Sequence, residues 1–122
     1  MAEKMTFRDL KVWQKAIELA KEVYAITRRM PDSEKFGLTN QMRRAAVSIP
    51  SNIAEGNARR SRNDYIHFLT MARGSLAELE TQWILARELK FLLPDDTLTE
   101  TMLEVSRMLQ GLIASLRRRE SN

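Results

Sequence analysis

Cysteine is absent from the 122 residues of this chain, and histidine occurs once. These absences exclude disulfides, thiolate zinc sites and cysteine nucleophiles, and they leave little for histidine metal sites or His-based triads. Four glycines and three prolines exclude long low-complexity linkers. Aromatic residues make up 7%, too few for the stacking platforms of single-strand binding proteins. We therefore expect a protein that is not an enzyme and that holds no cofactor and no metal.

Long hydrophobic runs are also missing, since none approaches the roughly 20 residues of a transmembrane helix. Residues 1–13 carry charges where a signal peptide needs an apolar run. We expect a cytoplasmic protein with no membrane partner. Hydrophobic residues at 43% and charged residues at 30% are typical of a single globular domain, which we assign to residues 1–122.

The charge is positive and unevenly distributed. The net charge is +4, but residues 1–62 hold 13 basic and 7 acidic side chains, whereas residues 63–122 hold 7 and 9. Arginine outnumbers lysine by 14 to 6, and its planar fork suits phosphate and carboxylate. A basic half of this kind indicates either a polyanionic partner or salt bridges to the acidic half.

Apolar residues recur at steps of three and four over four segments, namely residues 7–29, 38–58, 63–91 and 97–118. Ser61 is placed to cap the third segment and Asp95 or Asp96 the fourth, and no alternating strand pattern competes with the helices. Long helices joined by short turns pack as antiparallel neighbours. We predict an all-α fold, an antiparallel up-down four-helix bundle. Because Pro50 has no N–H for the carbonyl of Ala46, we predict a kink in the second helix.

The first helix offers two overlapping apolar stripes. One stripe, which we place at the centre of the core, consists of Leu10, Trp13, Ile17, Ala20 and Tyr24. The other, which we expect to widen it, consists of Val12, Ala16 and Val23.

One face of the second helix is polar without being richly charged. This polar seam consists of Gln41, Arg44, Ser48, Asn52 and Glu55. Serine and asparagine are poor residues for a helix interior, because their side chains compete for the backbone. The seam is either a solvated or internally paired face, or a polar surface between subunits or along a pore.

The third helix carries a small-residue face, which consists of Thr70, Gly74, Ala77 and Thr81, with Arg73 and Glu78 beside it. Glycine in a helix interior costs about 1 kcal/mol relative to alanine. A glycine is tolerated at such a position if it allows another backbone to approach closely, whether from the same chain or from another subunit. Arg73 and Glu78 could pair with the polar seam.

Six arginines near the second and third helices are candidates for phosphate contacts: Arg43, Arg44, Arg59, Arg60, Arg62 and Arg73. Three of them crowd the turn between the helices, and contacts to a nucleic-acid backbone need only positioned cations. The alternative is that they solubilise the protein or pair with acidic groups of a partner protein.

Two further pairs of polar residues have a chemical interpretation. Asp64 and His67 have the spacing of half a carboxylate–histidine metal site, but the chain has no second histidine to complete it. Glu55 with Arg44 could clamp a small dicarboxylate, yet no nucleophile or tuned acid–base pair accompanies them. If Arg44 and Glu55 pair with each other, the polar seam has a structural role. If they line a cavity unpaired, a ligand site is favoured.

Residues 37–61, GLTNQMRRAAVSIPSNIAEGNARRS, resemble the signature of a bacterial four-helix-bundle family whose founding members are encoded in intervening sequences of 23S ribosomal RNA. The stretches LKVWQKAIELAKEVY and FLTMARGSLAELETQ agree with the same family, so that the resemblance covers about residues 7–110. A related branch comprises accessory proteins of diversity-generating retroelements.

This resemblance implies a ring-like homopentamer, and the related branch implies a basic surface that binds nucleic acid. The signature positions include most of the polar seam together with Arg73, Gly74, Ser75 and Glu78. We therefore expect a non-enzymatic homo-oligomer that binds RNA or DNA through arginine–phosphate contacts. The alternative expectation is a protein–protein interaction scaffold that binds no nucleic acid.

Overall fold

A computed structural model describes residues 5–120, with no description of the Glu120 side chain, and it contains four long helices. They are α1 (Lys11–Thr27), α2 (Leu38–Asn57), α3 (Arg62–Glu88) and α4 (Asp96–Glu120). Short 3-10 helices at Phe7–Asp9 and Asp32–Glu34 precede α1 and α2. The described residues include no strand, which confirms the all-α four-helix bundle. Within this range no helix is long and apolar enough to cross a membrane.

Each helix packs on two others: α2 on α1 and α3, and α4 on α1 and α3. Helices α1 and α4 are antiparallel. Lys15 reaches Glu104 at 2.9 Å, whereas Glu22, later in α1, accepts a hydrogen bond from Thr101, earlier in α4, at 3.1 Å. Helix α2 continues without interruption through Pro50, which is buried. The kink at Pro50 and the up-down topology of the whole bundle stay predictions.

The core stripe of α1 differs from the predicted one. In α1 the core residues are Val12, Ala16, Leu19, Val23 and Ile26. The stripe that we placed at the centre of the core lies at its edge, and Tyr24 is 43% exposed. The two stripes are adjacent on the helix, and only the positions of α2 and α4 decide between them.

Helix ends follow local hydrogen bonding. The Ser61 hydroxyl accepts from the Asp64 N–H at 3.0 Å, and the Asp95 carboxylate accepts from the Leu98 N–H at 3.0 Å, so both predicted caps are confirmed. Helix α1 begins at Lys11 rather than residue 7, because the backbone of Leu10 is extended after the 3-10 turn.

Helix α3 ends at Glu88, three residues earlier than predicted. The N–H groups of Lys90 and Phe91 donate to the carbonyls of Arg87 and Ala86, each at 2.9 Å. These two bonds form a Schellman motif, in which Lys90 adopts a φ of 63°. Glycine is the usual residue in that left-handed conformation, so the sequence carries no signal for this end.

Candidate functional site

The turn between α2 and α3 carries three exposed arginines, Arg59, Arg60 and Arg62, which we call the basic turn. Arg59 makes an ion pair with Glu55 at 2.9 Å, and its guanidinium lies 4.7 Å from the centre of the Phe68 ring. Arg60 and Arg62 have no hydrogen bond or ion pair with any described residue. The basic turn therefore presents two guanidinium groups that are free to meet a ligand.

Arg43 is occupied within the protomer. Its Nε donates to the buried Thr27 hydroxyl at 2.8 Å, a second guanidinium nitrogen donates to the Tyr24 carbonyl at 3.4 Å, and the group lies 4.7 Å from the centre of the Tyr24 ring. These contacts join α2 to the last turn of α1. Arg43 thus has a structural role that the sequence did not reveal.

The six candidate arginines do not form one cluster. Arg43 and Arg44 precede Arg59 by 15 or more positions, which is roughly 23 Å along a helix. Arg73 lies on α3, three turns after Arg62, and is exposed without an ion pair to any described residue. Only the basic turn brings several of these cations together.

The C-terminal half of the polar seam is engaged in local bonds. The Asn52 amide donates to the Ser48 carbonyl at 2.8 Å, and the Ser48 hydroxyl donates to the Ala45 carbonyl at 3.1 Å and bonds to the hydroxyl of Ser75 on α3. Glu55 pairs with Arg59 rather than with Arg44. The serine and asparagine side chains of the seam are thus engaged within the protomer, on either side of Pro50, which cannot donate to the helix ladder.

The N-terminal half of the seam opens into a polar cavity of about 420 Å³ between α2 and α3, which we call the α2–α3 groove. Its lining residues are Asn40, Gln41, Arg44, Ala45, Ser48, Ser75, Glu78 and Gln82. Arg44 and Glu78 are exposed and have no ion pair with each other or with any other described residue. The Oε1 atom of Gln82 is shielded from solvent and has no hydrogen-bond donor.

The small-residue face of α3 points away from the bundle. Thr70, Gly74, Ala77 and Thr81 are all exposed, and a β-carbon at Gly74 would meet nothing within 4 Å. The face continues into Ile84 and Leu85, which are 50% and 47% exposed. Among residues 5–120 no other helix covers the small side chains, so packing within the protomer does not explain Gly74.

The tight approach between α2 and α3 occurs at another glycine. A β-carbon at Gly56 would lie 2.8 Å from the Phe68 Cβ and 3.2 Å from the Tyr65 carbonyl oxygen. Asn57 supports the same junction, since its amide donates to the Tyr65 hydroxyl at 3.2 Å. Gly56 therefore sets how closely the two helices pack at the basic turn.

His67 is exposed and packs edge-to-face on Phe68, with ring centres 5.6 Å apart. In the part of the chain that the structure describes, no group of three or more histidine, aspartate or glutamate side chains is arranged to hold a metal ion.

The contact between α1 and α4 contains a perturbed carboxyl. Burial raises the pKa of Glu22 above its usual range, the hydrogen bond from Thr101 acts in the opposite direction, and the charge of Glu18 adds to the rise. One carboxylate oxygen, Oε2, is shielded from solvent and has no donor. Glu22 is therefore a pH-sensitive element of the bundle, remote from the basic turn.

Comparison with solved structures shows the same fold elsewhere. The chain is similar to a protein of unknown function from the S23 ribosomal protein family of Bacteroides thetaiotaomicron, with a TM-score of 0.77 and 23% sequence identity. The match covers 84% of this chain and 97% of that one. No curated protein matches the chain.

A family model described as 23S rRNA-intervening sequence protein matches residues 8–111. The matched range includes all of α1, α2 and α3 and most of α4, together with the basic turn and the α2–α3 groove. This chain belongs to the family of 23S rRNA-intervening sequence proteins.

Proposed function

We propose that this protein is a non-enzymatic, self-associating helical bundle that binds nucleic acid, with RNA as the first candidate, in the cytoplasm. The observation that carries the proposal is the basic turn, where Arg60 and Arg62 are exposed and unpaired within the described chain. A turn between two rigid helices holds these cations in place, and phosphate contacts need nothing more specific. Arg59 adds to the same surface, because an exposed ion pair between neighbouring turns is weak and exchanges readily.

The last turn of α4 is also basic. Arg117, Arg118 and Arg119 are exposed in its last turn. In the predicted up-down topology, the last turn of α4 lies at the same end of the bundle as the turn between α2 and α3. From the sequence alone these three residues are cations at the helix end that the dipole favours, because nothing in it links them to residues 59–62.

The contacts of Arg43 and Arg44 also reduce the number of arginines that we assign to nucleic-acid binding. Arg43 is committed to Tyr24 and Thr27, and Arg44 shares a groove with Glu78, whose carboxylate repels phosphate. We therefore assign nucleic-acid contact to the basic turn and to Arg73, and not to Arg43 or Arg44.

Self-association is supported by the outward face of α3, where small residues adjoin the exposed Ile84 and Leu85. An apolar face of this kind is typical of a protein interface. The homopentamer implied by the family resemblance is the assembly that we propose. Five copies of a chain with net charge +4 would carry about +20 and repeat the basic turn around a ring, which strengthens binding through avidity.

The test is a fluorescence-anisotropy titration with a short RNA and a duplex DNA at several salt concentrations. Binding by the wild-type protein should weaken steeply as salt increases. The triple variant Arg59→Gln, Arg60→Gln and Arg62→Gln should bind more weakly and show a flatter salt dependence. For each phosphate that the variant no longer neutralises, the logarithmic slope should change by about 0.7 with single strands and by about 0.9 with B-form DNA.

The matched control removes three exposed cations elsewhere, with Arg28→Gln, Arg29→Gln and Lys35→Gln. It changes the net charge equally and should retain the wild-type slope. Equal slopes for all three proteins would refute the assignment to the basic turn. An absence of binding at low salt would refute nucleic-acid binding altogether.

The alternative function is a protein–protein interaction scaffold, and the same α3 face favours it. Under this alternative the apolar face binds a partner protein and the arginines contribute only solubility. Affinity capture with wild-type protein and with a Leu85→Glu variant, compared by mass spectrometry, tests this role. A partner that is captured by the wild type and absent with Leu85→Glu supports it, whereas identical recoveries contradict it.

A further inference from the structure

The α2–α3 groove contains an unpaired cation and an unpaired anion on opposite walls. Arg44 belongs to α2 and Glu78 to α3, and their charged atoms are too far apart for an ion pair. These two opposite charges line one cavity of about 420 Å³ and do not neutralise each other. A ligand that carries both an anionic and a cationic group can therefore pair with both side chains. This surface is distinct from the basic turn, whose three defining side chains are all arginines.

The hydrogen-bonding groups of the groove divide in the same way. On the α3 wall, the shielded Oε1 of Gln82 has no donor, and leaving such an acceptor unpaired costs about 1–3 kcal/mol. Glu78 adds a second group that only accepts hydrogen bonds, whereas Arg44 on the α2 wall only donates them. Ser48 and Ser75 bond to each other and so join the two walls. The α3 wall therefore presents acceptors that suit an N–H donor, and Arg44 on the α2 wall presents donors that suit an acceptor.

A carboxylate is the natural partner of the Arg44 guanidinium, because two parallel N–H groups match its two oxygens. An ammonium group suits Glu78 and Gln82, since it supplies three donors and a compensating charge. A simple phosphate or a nucleic-acid backbone satisfies only Arg44 and is repelled by Glu78. We propose that the α2–α3 groove binds a small zwitterion of the amino-acid type, with its carboxylate on Arg44 and its ammonium group on Glu78 and Gln82.

The experiment is isothermal titration calorimetry of the full chain with α-amino acids and with a series of ω-amino acids of increasing length. The series measures the separation of the two charges, so that affinity should peak at one length. Analogues that keep only the amine or only the carboxylate should bind at least about tenfold more weakly, which corresponds to about 1.4 kcal/mol.

The variants Arg44→Gln and Glu78→Gln should each lower the affinity at least about tenfold while retaining the helical circular-dichroism spectrum, because both side chains are exposed. Arg60→Gln, which removes an unpaired arginine outside the groove, is the matched control and should leave zwitterion binding unchanged. The absence of saturable binding to any compound, or equal affinity in Arg44→Gln and wild type, would overturn the proposal.

A second copy of the chain could fill the groove instead. In that case Arg44→Gln and Glu78→Gln would each reduce the mass measured by light scattering, and the exchanged pair Arg44→Glu with Glu78→Arg would restore it. That result would also overturn the zwitterion proposal. The calorimetric outcomes leave the proposal of nucleic-acid binding intact, because Arg59, Arg60 and Arg62 lie outside the groove.

Discussion

Gly56 of α2 and Phe68 of α3 approach so closely that a β-carbon on Gly56 would lie 2.8 Å from the Phe68 Cβ. The same β-carbon would lie 3.1 Å from Cδ1 of Tyr65. Both neighbours are fixed near the first turn of α3, so an added methyl group must push the two helices apart. The position of the basic turn therefore depends on the absence of a β-carbon at Gly56.

We expect Gly56→Ala to lower the free energy of unfolding by about 1–3 kcal/mol, the usual effect of overpacking. Urea denaturation at a fixed protein concentration measures the change. Helix propensity alone favours alanine by about 1 kcal/mol, so a variant as stable as the wild type or more stable would contradict the close approach.

Two consecutive arginines should differ in their effect on stability. Arg43→Ala removes the hydrogen bond to the buried Thr27 hydroxyl and the contact with the Tyr24 ring, and we expect a decrease of about 1–2 kcal/mol in the free energy of unfolding. Arg44→Ala removes an exposed side chain with no partner in the described chain, and the change should stay within about 0.5 kcal/mol. Similar destabilisation in both variants, measured by thermal unfolding, would show that Arg43 has no special role.

The end of α3 offers a stabilising substitution. Lys90 holds the left-handed position of the Schellman motif with a φ of 63°, where glycine has no steric cost. We expect Lys90→Gly to raise the free energy of unfolding by about 1 kcal/mol. Lys90→Ala is the control, because it removes the same charge but keeps a β-carbon, and it should give no such gain. An equal gain in both variants would assign the effect to charge instead.

Some features of the fold that depend on neighbouring residues in the sequence were predicted correctly. The cap at Ser61 depends on residues within one turn, and it is as expected. In α1 two adjacent stripes compete, and only the packing of other helices selects the one that contains Ala16. The end of α3 was predicted three residues too late, because Lys90 has a positive φ and lysine seldom adopts that conformation.

The sequence singled out several residues that line the α2–α3 groove, but it did not predict the groove itself. Spacing along α2 placed Arg44 and Ser48 on one face, and spacing along α3 singled out Glu78. That these residues line a common groove depends on how α2 packs against α3, which brings Ser48 to Ser75, 27 positions later. The internal role of Arg43 likewise depends on its contact with the end of α1.

Stability should depend on pH through Glu22. Its pKa is raised in the folded state above the usual value of 4.5, so the folded protein holds this proton more tightly than the unfolded chain. The contribution of Glu22 to stability is therefore complete below about pH 4.5 and is lost as pH increases through the raised folded pKa. We expect Glu22→Gln to stabilise the protein at neutral pH, by at most about 1 kcal/mol because the carboxyl is partly exposed to solvent.

The measurement for Glu22 is thermal unfolding of wild type and Glu22→Gln across the acidic range. The difference between them should shrink as pH decreases and the wild-type carboxyl becomes protonated. Glu100→Gln, which removes an exposed carboxylate one position before Thr101, should show no such convergence. Parallel curves for wild type and Glu22→Gln would be inconsistent with a raised pKa.

Gly74 and Gly111 form a pair that can test self-association through the α3 face. Both are exposed within helices, and a β-carbon on either would meet nothing within 4 Å, so alanine should stabilise the protomer by about 1 kcal/mol in each case. Only Gly74 lies on the small-residue face. If that face is an interface between copies, Gly74→Ala lowers the mass measured by light scattering, whereas Gly111→Ala retains it. An unchanged mass in Gly74→Ala and in a bulkier Gly74→Leu variant would place the interface on another surface of the bundle, because a leucine cannot be accommodated between two closely packed helices.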